Sequence, residues 1–188
     1  MLCFDIKIAP LFISITDNLA APAIFLPEQY DSFESDEEEY MQKSMDKYEI
    51  YKSMYESLAK AMRAEYYYQA IFIEYAILED RLRAILRYAG VPYISKNGRE
   101  DKISRKLDKL RDRPEFANRF VRDRIPTKMI DEIKDWIETR NDLIHNLANI
   151  PYDDESIIAV AERGKQLLDV FKNKSASVIN HFKKLSEE

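Results

Sequence analysis

Glycine and cysteine are scarce in this chain of 188 residues. Its three glycines, at positions 90, 98 and 164, cannot form a dinucleotide-binding fingerprint or a phosphate-binding P-loop. The single cysteine, Cys3, excludes an internal disulfide and a zinc site built on several thiolates. Two histidines, His145 and His181, are too few for most histidine-based metal sites. We therefore expect neither a metal nor a cofactor.

The chain also lacks a long apolar run and an excess of positive charge. Within residues 1–27, Asp5, Lys7 and three prolines interrupt the apolar residues, so no stretch is long enough to cross a bilayer. The segment is a poor signal peptide, because an acidic residue precedes the basic one. A formal net charge of −5 gives no overall positive field typical of avid nucleic-acid binders. We expect a cytoplasmic protein without a membrane anchor.

After residue 35 the sequence has apolar residues at spacings of three and four, which is typical of amphipathic helices sharing one core. The pattern predicts an all-α fold, an up-and-down helical bundle of about five helices over residues 36–188, preceded by an irregular leader over residues 1–35. The first predicted helix begins near Asp36, the second covers residues 66–89 and the third covers 102–111, followed by a short helical piece before Pro126. The next helix runs from Thr127 to before Pro151, and the last runs from Asp153 or Asp154 to about Leu185.

Two rows of residues on the first two helices are predicted to face the core. The row on the first helix is Met41, Met45, Tyr48, Tyr51, Tyr55, Leu58 and Met62. The second helix has a main row, Ile71, Tyr75, Leu78, Leu82, Ile85 and Ala89, and a parallel row, Tyr68, Phe72, Ala76 and Leu86. Glu79 interrupts the parallel row, and such a carboxylate either pairs with a neighbour or supports a functional site.

The most informative segment lies near the end of the predicted helix that starts at Thr127. Arg140 falls on a row that otherwise contains only Ile and Leu, so it must pair with a carboxylate or open onto a cleft or subunit interface. Asn141 and His145 are four residues apart and share one helix face. Histidine can transfer protons near neutral pH, and arginine can hold a phosphate with two hydrogen bonds. These side chains suit phosphodiester cleavage without a metal.

Helix geometry separates the two main side chains of this segment. Five residues at ~100° each place Arg140 and His145 about 140° apart around an ideal helix. They converge only through the length of the arginine or through a second subunit that completes the site. The structural alternative is an arginine ion pair and a histidine satisfied within the fold. Spacing and composition leave both interpretations open.

The segment Arg140-Asn-Asp-Leu-Ile-His145 resembles the Arg-x4–6-His signature of the HEPN superfamily, with a polar residue directly after the arginine. Residues 65–86 also resemble the second helix of that family, with acidic residues before a Leu-rich end. The resemblance implies a dimeric, metal-independent endoribonuclease of a toxin–antitoxin or phage-defence system that cleaves single-stranded RNA through the ribose 2′-OH. Arg140, Asn141 and His145 would form the catalytic site, with Asn141 in a supporting role. Glu79, which interrupts an apolar row, is also predicted to support the site. Leu147 stands where nucleotidyltransferase-paired toxins of the family have tyrosine, which argues against that subgroup.

The expected partners are RNA, a second copy of the chain, and an antitoxin or another defence-system protein. Residues 99–140 contain 13 basic and 10 acidic residues, an excess of three positive charges that leads into the Arg140 segment. The residues predicted to bind RNA are Lys102, Arg105, Lys106, Arg119, Arg122 and Arg124. The alternative function is a non-catalytic helical dimerisation module, in which Arg140 forms an interface ion pair with Glu79 or Glu74.

Overall fold

The computed structural model of the chain describes residues 33–95, 97–146 and 154–187, with the side chains of residues 47–95, 97–146 and 155–186. Those residues form α1 (Phe33–Arg63), α2 (Tyr67–Tyr88), α3 (Ile103–Asp112), a 3₁₀ turn (Pro114–Phe116), α4 (Arg119–Arg124), α5 (Thr127–Asn146) and α6 (Asp154–Glu187). The described parts of the chain contain no strand, only an isolated antiparallel bridge between Ile94 and Glu100. The predicted all-α bundle is confirmed.

The predicted helix bounds agree with the structure to within one or two residues for α2 and α3. The first helix begins at Phe33, three residues earlier than predicted. The acidic residues near its beginning favour the N-terminal end of a helix in general, so they do not determine at which residue the helix starts. The predicted leader lies outside the described residues up to residue 32, and so does the predicted extension of α5 beyond Asn146. None of the described helices has the length and apolar character needed to cross a membrane.

The loop between α2 and α3 returns the chain towards α2. Gly90 has a positive φ of 67° and ends α2, while the Val91 amide donates to the Leu86 carbonyl. Gly98, with φ of 73°, closes the turn in which the Ser95 amide donates to the Arg99 carbonyl. This turn places Glu100 and Asp101 directly before α3, beside the side chains of α2 and α3 that they pair with.

The core forms around α2, which packs along α6 and against α3, while α5 packs against both α3 and α6. Its fully buried large side chains include Ile71, Ile77, Leu78, Leu82, Ile85, Leu86, Leu107, Phe116, Ile133, Leu143 and Phe171. Burying each of these side chains stabilises the fold by roughly 1.5–3 kcal/mol before the entropic cost of ordering. The core therefore holds α2 at the centre of the bundle.

Three residues predicted to face the core are exposed. Tyr48 is 67 % exposed and Phe72 is 50 % exposed, and Ala76 also lies on the surface. On α2 the second buried row runs through Glu74 and Ile77 instead. The prediction was wrong because α2 has apolar residues on most of its sides, so periodicity alone did not distinguish the two candidate rows.

Glu74 is the most unusual residue of this buried row. Its side chain is 1 % exposed, and neither carboxyl oxygen has a hydrogen-bond partner among the described residues. Gly164 of α6 makes room for it, since a methyl group there would overlap the carboxyl group and lie 2.7 Å from Cζ2 of Trp136. Burial raises the pKa of Glu74 to about 9. The carboxyl group is therefore protonated, and neutral, at pH 7.

We expect Glu74 to make the stability of the protein depend on pH. Its folded pKa is raised above the unfolded value, so its contribution is complete below about pH 4.5 and is lost as pH rises towards about 9. In this window the free energy of unfolding should fall by up to about 1.4 kcal/mol per pH unit on account of this group. Glu74→Gln should remove that slope in urea unfolding measured between pH 5 and 8.

The matched control is Glu162→Gln on α6, which changes an exposed glutamate in the same way. Its unfolding free energy should follow the pH profile of the parent protein. Parallel profiles for the parent protein and Glu74→Gln would show that Glu74 ionises normally in the folded state.

Candidate functional site

Arg140 lies in the last part of α5, half-buried against two aromatic side chains of α2. Its guanidinium carbon is 4.4 Å from the ring centroid of Tyr75 and 5.2 Å from that of Phe72. Its Nη1 donates to Oδ1 of Asn141 at 3.1 Å. Cation–π contacts and one neutral acceptor therefore hold the side chain in place.

No carboxylate pairs with Arg140 in the part of the chain that the structure describes. Its Nε is buried without a hydrogen-bond partner, and desolvation lowers the pKa of the guanidinium, which stays charged at neutral pH. Glu79 and Glu74, the two carboxylates considered as its partners, are not paired with it within the chain: Glu79 accepts from a lysine and Glu74 has no partner. The guanidinium is thus available to an external anion.

His145 is exposed on α5, one turn after the half-buried Asn141. Within the described residues it makes no hydrogen bond, ion pair or ring contact. The structure therefore shows Arg140 in contact with Asn141 and shows no contact between His145 and either of them. Since the two side chains lie about 140° apart around an ideal helix, a second copy of the chain is the simplest way to bring a histidine and an arginine to one phosphate.

Glu79 belongs to a network of charges that joins α2 to α3. It accepts a hydrogen bond of 2.9 Å from Lys106, whose ammonium also donates to Glu100. Arg83 in turn donates to both oxygens of Glu100, at 2.8 and 3.3 Å. Burial opposes ionisation of Glu100, but the hydrogen bonds from Arg83 and Lys106 prevail and lower its pKa. The network fixes the loop before α3 against α2.

Two of the six residues predicted to bind RNA are engaged inside the fold. Lys106 is completely buried, so RNA has no access to its ammonium in this structure. Sequence reasoning placed it on a basic surface, although it shares the inward row of Ile103, Leu107 and Leu110. Arg124 is half-buried, stacks 3.4 Å from the centroid of the Phe120 ring and donates to Ser177 on α6.

The other four predicted RNA-binding residues are exposed. Arg105 pairs with the buried carboxylate of Asp101 and Arg119 with the exposed carboxylate of Asp123, both at 3.5 Å. Lys102 and Arg122 have no partner among the described residues. Lys102 alone of the six lines the cavity that Asn141 also lines. The predicted basic residues therefore do not form a single surface.

Sequence reasoning missed the aromatic support of Arg140. Tyr75 was assigned to the core and Phe72 to a buried row, yet both rings contact the guanidinium. The available signal was their spacing of three residues on one helix, which places the two rings side by side. No cluster of three or more His, Cys, Asp or Glu side chains suited to a metal ion occurs in the described ranges.

We expect Lys106→Met to destabilise the protein. The change leaves Glu79 and Glu100 without their shared cation, and removing one partner of a buried pair typically costs about 3–5 kcal/mol. Both carboxylates are partly exposed, which lowers our expectation to about 2 kcal/mol. Arg111→Met, on the same helix but in a surface ion pair, is the control and should leave the urea midpoint close to that of the parent protein. Equal urea midpoints for parent and Lys106→Met would contradict a structural role.

Comparison with known proteins identifies no relative from which a function could be inferred. No protein-family model, no curated protein and no solved structure matches the chain, so the resemblance to the HEPN superfamily depends on the arginine–histidine segment and the second-helix segment alone.

Proposed function

We propose that the protein is a metal-independent endoribonuclease of HEPN type that cleaves single-stranded RNA. The observation that carries the proposal is the charge of Arg140, which is held by two aromatic rings beside Asn141 and has no carboxylate partner in the described chain. A partly buried guanidinium without a carboxylate partner is suited to an anion with pairs of oxygen atoms, such as phosphate. His145 supplies the titratable group on the same helix.

In the proposed reaction the ribose 2′-OH attacks the adjacent phosphorus. His145 acts as the general base that takes the 2′ proton, or as the general acid that protonates the departing 5′ oxygen. Arg140 stabilises the negative charge that develops on the phosphoryl oxygens, and Asn141 orients the guanidinium. The P–O5′ bond breaks as the P–O2′ bond forms. The products are a 2′,3′-cyclic phosphate and a 5′-OH end.

A second copy of the chain is part of this proposal. His145 has no contact with Arg140 within one chain, so a dimer that places two such segments in one cleft would provide both groups to one phosphate. The surface beside Arg140 suits such pairing, because Phe72 is half-exposed and Ala76 is exposed on the adjacent face of α2. We define Phe72, Ala76 and Arg140 as the α2–α5 face.

The biological setting that fits this activity is phage defence or a toxin–antitoxin system, with a partner protein that restrains or triggers cleavage. The second candidate function is a non-catalytic dimerisation module that uses the same α2–α5 face. It is favoured by the exposed apolar residues of that face and by the negative net charge of the chain. In that case Arg140 would pair with a carboxylate of the other copy.

We expect replacements of the two proposed catalytic residues to differ in their effects on cleavage and on RNA binding. His145→Ala should reduce cleavage of single-stranded RNA in EDTA by about 10²–10⁴-fold while leaving RNA affinity and melting temperature unchanged. Arg140→Ala should lose cleavage and also weaken RNA binding, and Arg140→Lys should restore little, since an ammonium lacks the planar fork. Cleavage, affinity and melting are measured on the same preparations.

His181→Ala is the control for the histidine change. His181 stacks on Phe120 at 4.3 Å and lies on α6, so its loss should lower stability but spare cleavage. A parent protein that cleaves no single-stranded RNA, together with an Arg140→Ala variant that only melts earlier, would reject the nuclease and favour the dimerisation module.

We expect the protein to be a homodimer at tens of micromolar, with α5 at or near the interface. Ala76→Arg places a second cation on the α2–α5 face and should shift the mass measured by light scattering from two chains to one while helical circular dichroism stays unchanged. Gln166→Arg adds the same charge on exposed α6 and should remain dimeric. A monomeric parent protein would contradict the expected assembly.

A further inference from the structure

A cavity of about 620 Å³ lies between α2, the start of α3 and α5. Its volume is in the range of sites that enclose small ligands or single nucleotides. We call it the α2–α3–α5 cavity; the lining residues that matter for its chemistry are Tyr75, Glu79, Lys102, Ser104, Glu138 and Asn141. The proposed cleavage reaction places no group inside this cavity.

The cavity adjoins the proposed phosphate site through two shared residues. Asn141 lines the cavity and accepts the hydrogen bond of Arg140, and Tyr75 lines it while its ring lies against the guanidinium. A phosphate bound by Arg140 would therefore hold an attached nucleoside at the mouth of the cavity. Because RNA is read on splayed, unstacked bases, a cavity in this position suits one base of the strand.

Most of the charged residues that line the cavity are already paired, either with one another or with residues behind the wall. Glu79 and Glu100 receive the Lys106 ammonium, and Arg83 is bound to Glu100. Two further lining residues are paired as well: Asp101 with Lys109, and Lys134 with Asp108. These pairs make the wall rigid and leave it little net charge of its own.

A few residues that line the cavity have no partner in the described chain and are therefore available to a ligand. Glu138 and Lys102 are exposed, line the cavity and have no partner among the described residues, and the hydroxyl of Ser104 is likewise unpaired there. A free carboxylate thus lines the same cavity as a free ammonium. The carboxylate is the selective element, since it accepts two parallel N–H bonds, whereas the ammonium attracts any phosphate.

We propose that the α2–α3–α5 cavity binds a guanine base of the RNA strand and that Glu138 is its specificity-determining residue. Guanine is the base that presents two adjacent N–H donors, N1–H and N2–H, on its Watson–Crick edge, and a carboxylate accepts both. Adenine and cytosine offer one amino group beside an acceptor, and uracil offers a single N–H between two acceptors, so a carboxylate is poorly matched to them. Lys102 binds a neighbouring phosphate without regard to the base. This inference rests on the proposed function, because the RNA strand is its ligand.

The test measures binding and not cleavage. The probes are two 2′-O-methyl RNA tetramers, which lack the nucleophilic hydroxyl and differ only in one guanine or adenine. The parent protein should bind the guanine tetramer about tenfold or more tightly in calorimetric titration, the discrimination expected of one bidentate base contact. Glu138→Gln should bring the ratio of the two affinities close to one.

Two control variants separate base recognition from charge. Asp135→Asn removes one exposed carboxylate of the same helix outside the cavity, so it should change both affinities together and keep the guanine preference. Lys102→Ala should lower the affinity for both tetramers by the same factor. A parent protein without guanine preference, or a preference that persists in Glu138→Gln, would overturn the proposal.

Failure of this inference is distinguishable from failure of the nuclease. Selective binding by a protein that leaves all RNA uncut would reject the nuclease and support guanine recognition. Cleavage that depends on His145 but shows no preference for guanine would support the nuclease and reject guanine recognition. Free guanosine monophosphate is the last probe: affinity equal to that of the tetramer would make a free nucleotide the ligand and overturn the assignment to RNA.

Discussion

The rest of this structure depends on the ion pairs that the buried ammonium of Lys106 makes. An unpaired lysine at full burial would cost several kcal/mol, so the fold must bring carboxylates to it. Glu79 comes from α2 and Glu100 from the returning loop, and Arg83 completes the contact from α2. These bonds set where α3 lies on α2. They also form the wall of the α2–α3–α5 cavity beside Asn141.

A second cation near α2 is held in the opposite way. Arg140 rests on the faces of Phe72 and Tyr75 and bonds to a neutral amide, so its charge stays uncompensated within the described chain. A guanidinium tolerates this environment because it is delocalised and weakly hydrated, whereas an ammonium is not. The difference separates a structural cation from one available for chemistry. Both proposals for function follow from this contrast: an anion at Arg140 and a base in the adjacent cavity.

Periodicity predicted the all-α fold and placed α2 and α3 to within one or two residues, because helix formation there follows from apolar spacing and from Gly90 and Pro114. It failed where a helix has two apolar sides: on α2 it placed Phe72 inside and missed Glu74, whose burial depends on the gap at Gly164 of α6. Arg140 was found because it interrupts an apolar row. Lys106 interrupts the row of Ile103 and Leu107 in the same way, and applying one criterion to both would have predicted its burial. Its partners, 27 and 6 residues away, were set by the loop and not by any local pattern.

The charges of the surface bear on how such a protein would select RNA. Most of the basic side chains predicted to bind RNA are engaged: Lys106 and Arg124 inside the fold, Arg105 and Arg119 in ion pairs with aspartates. Lys102 lines the cavity and Arg140 adjoins it through Asn141, and both are free of carboxylate partners in the described chain. Phosphates neutralised by such cations would contribute to affinity without regard to sequence. Weak phosphate binding makes contacts to the bases decisive for which strand is held. A preformed cavity with one free carboxylate beside the proposed phosphate site would meet that requirement with residues that the fold leaves unpaired.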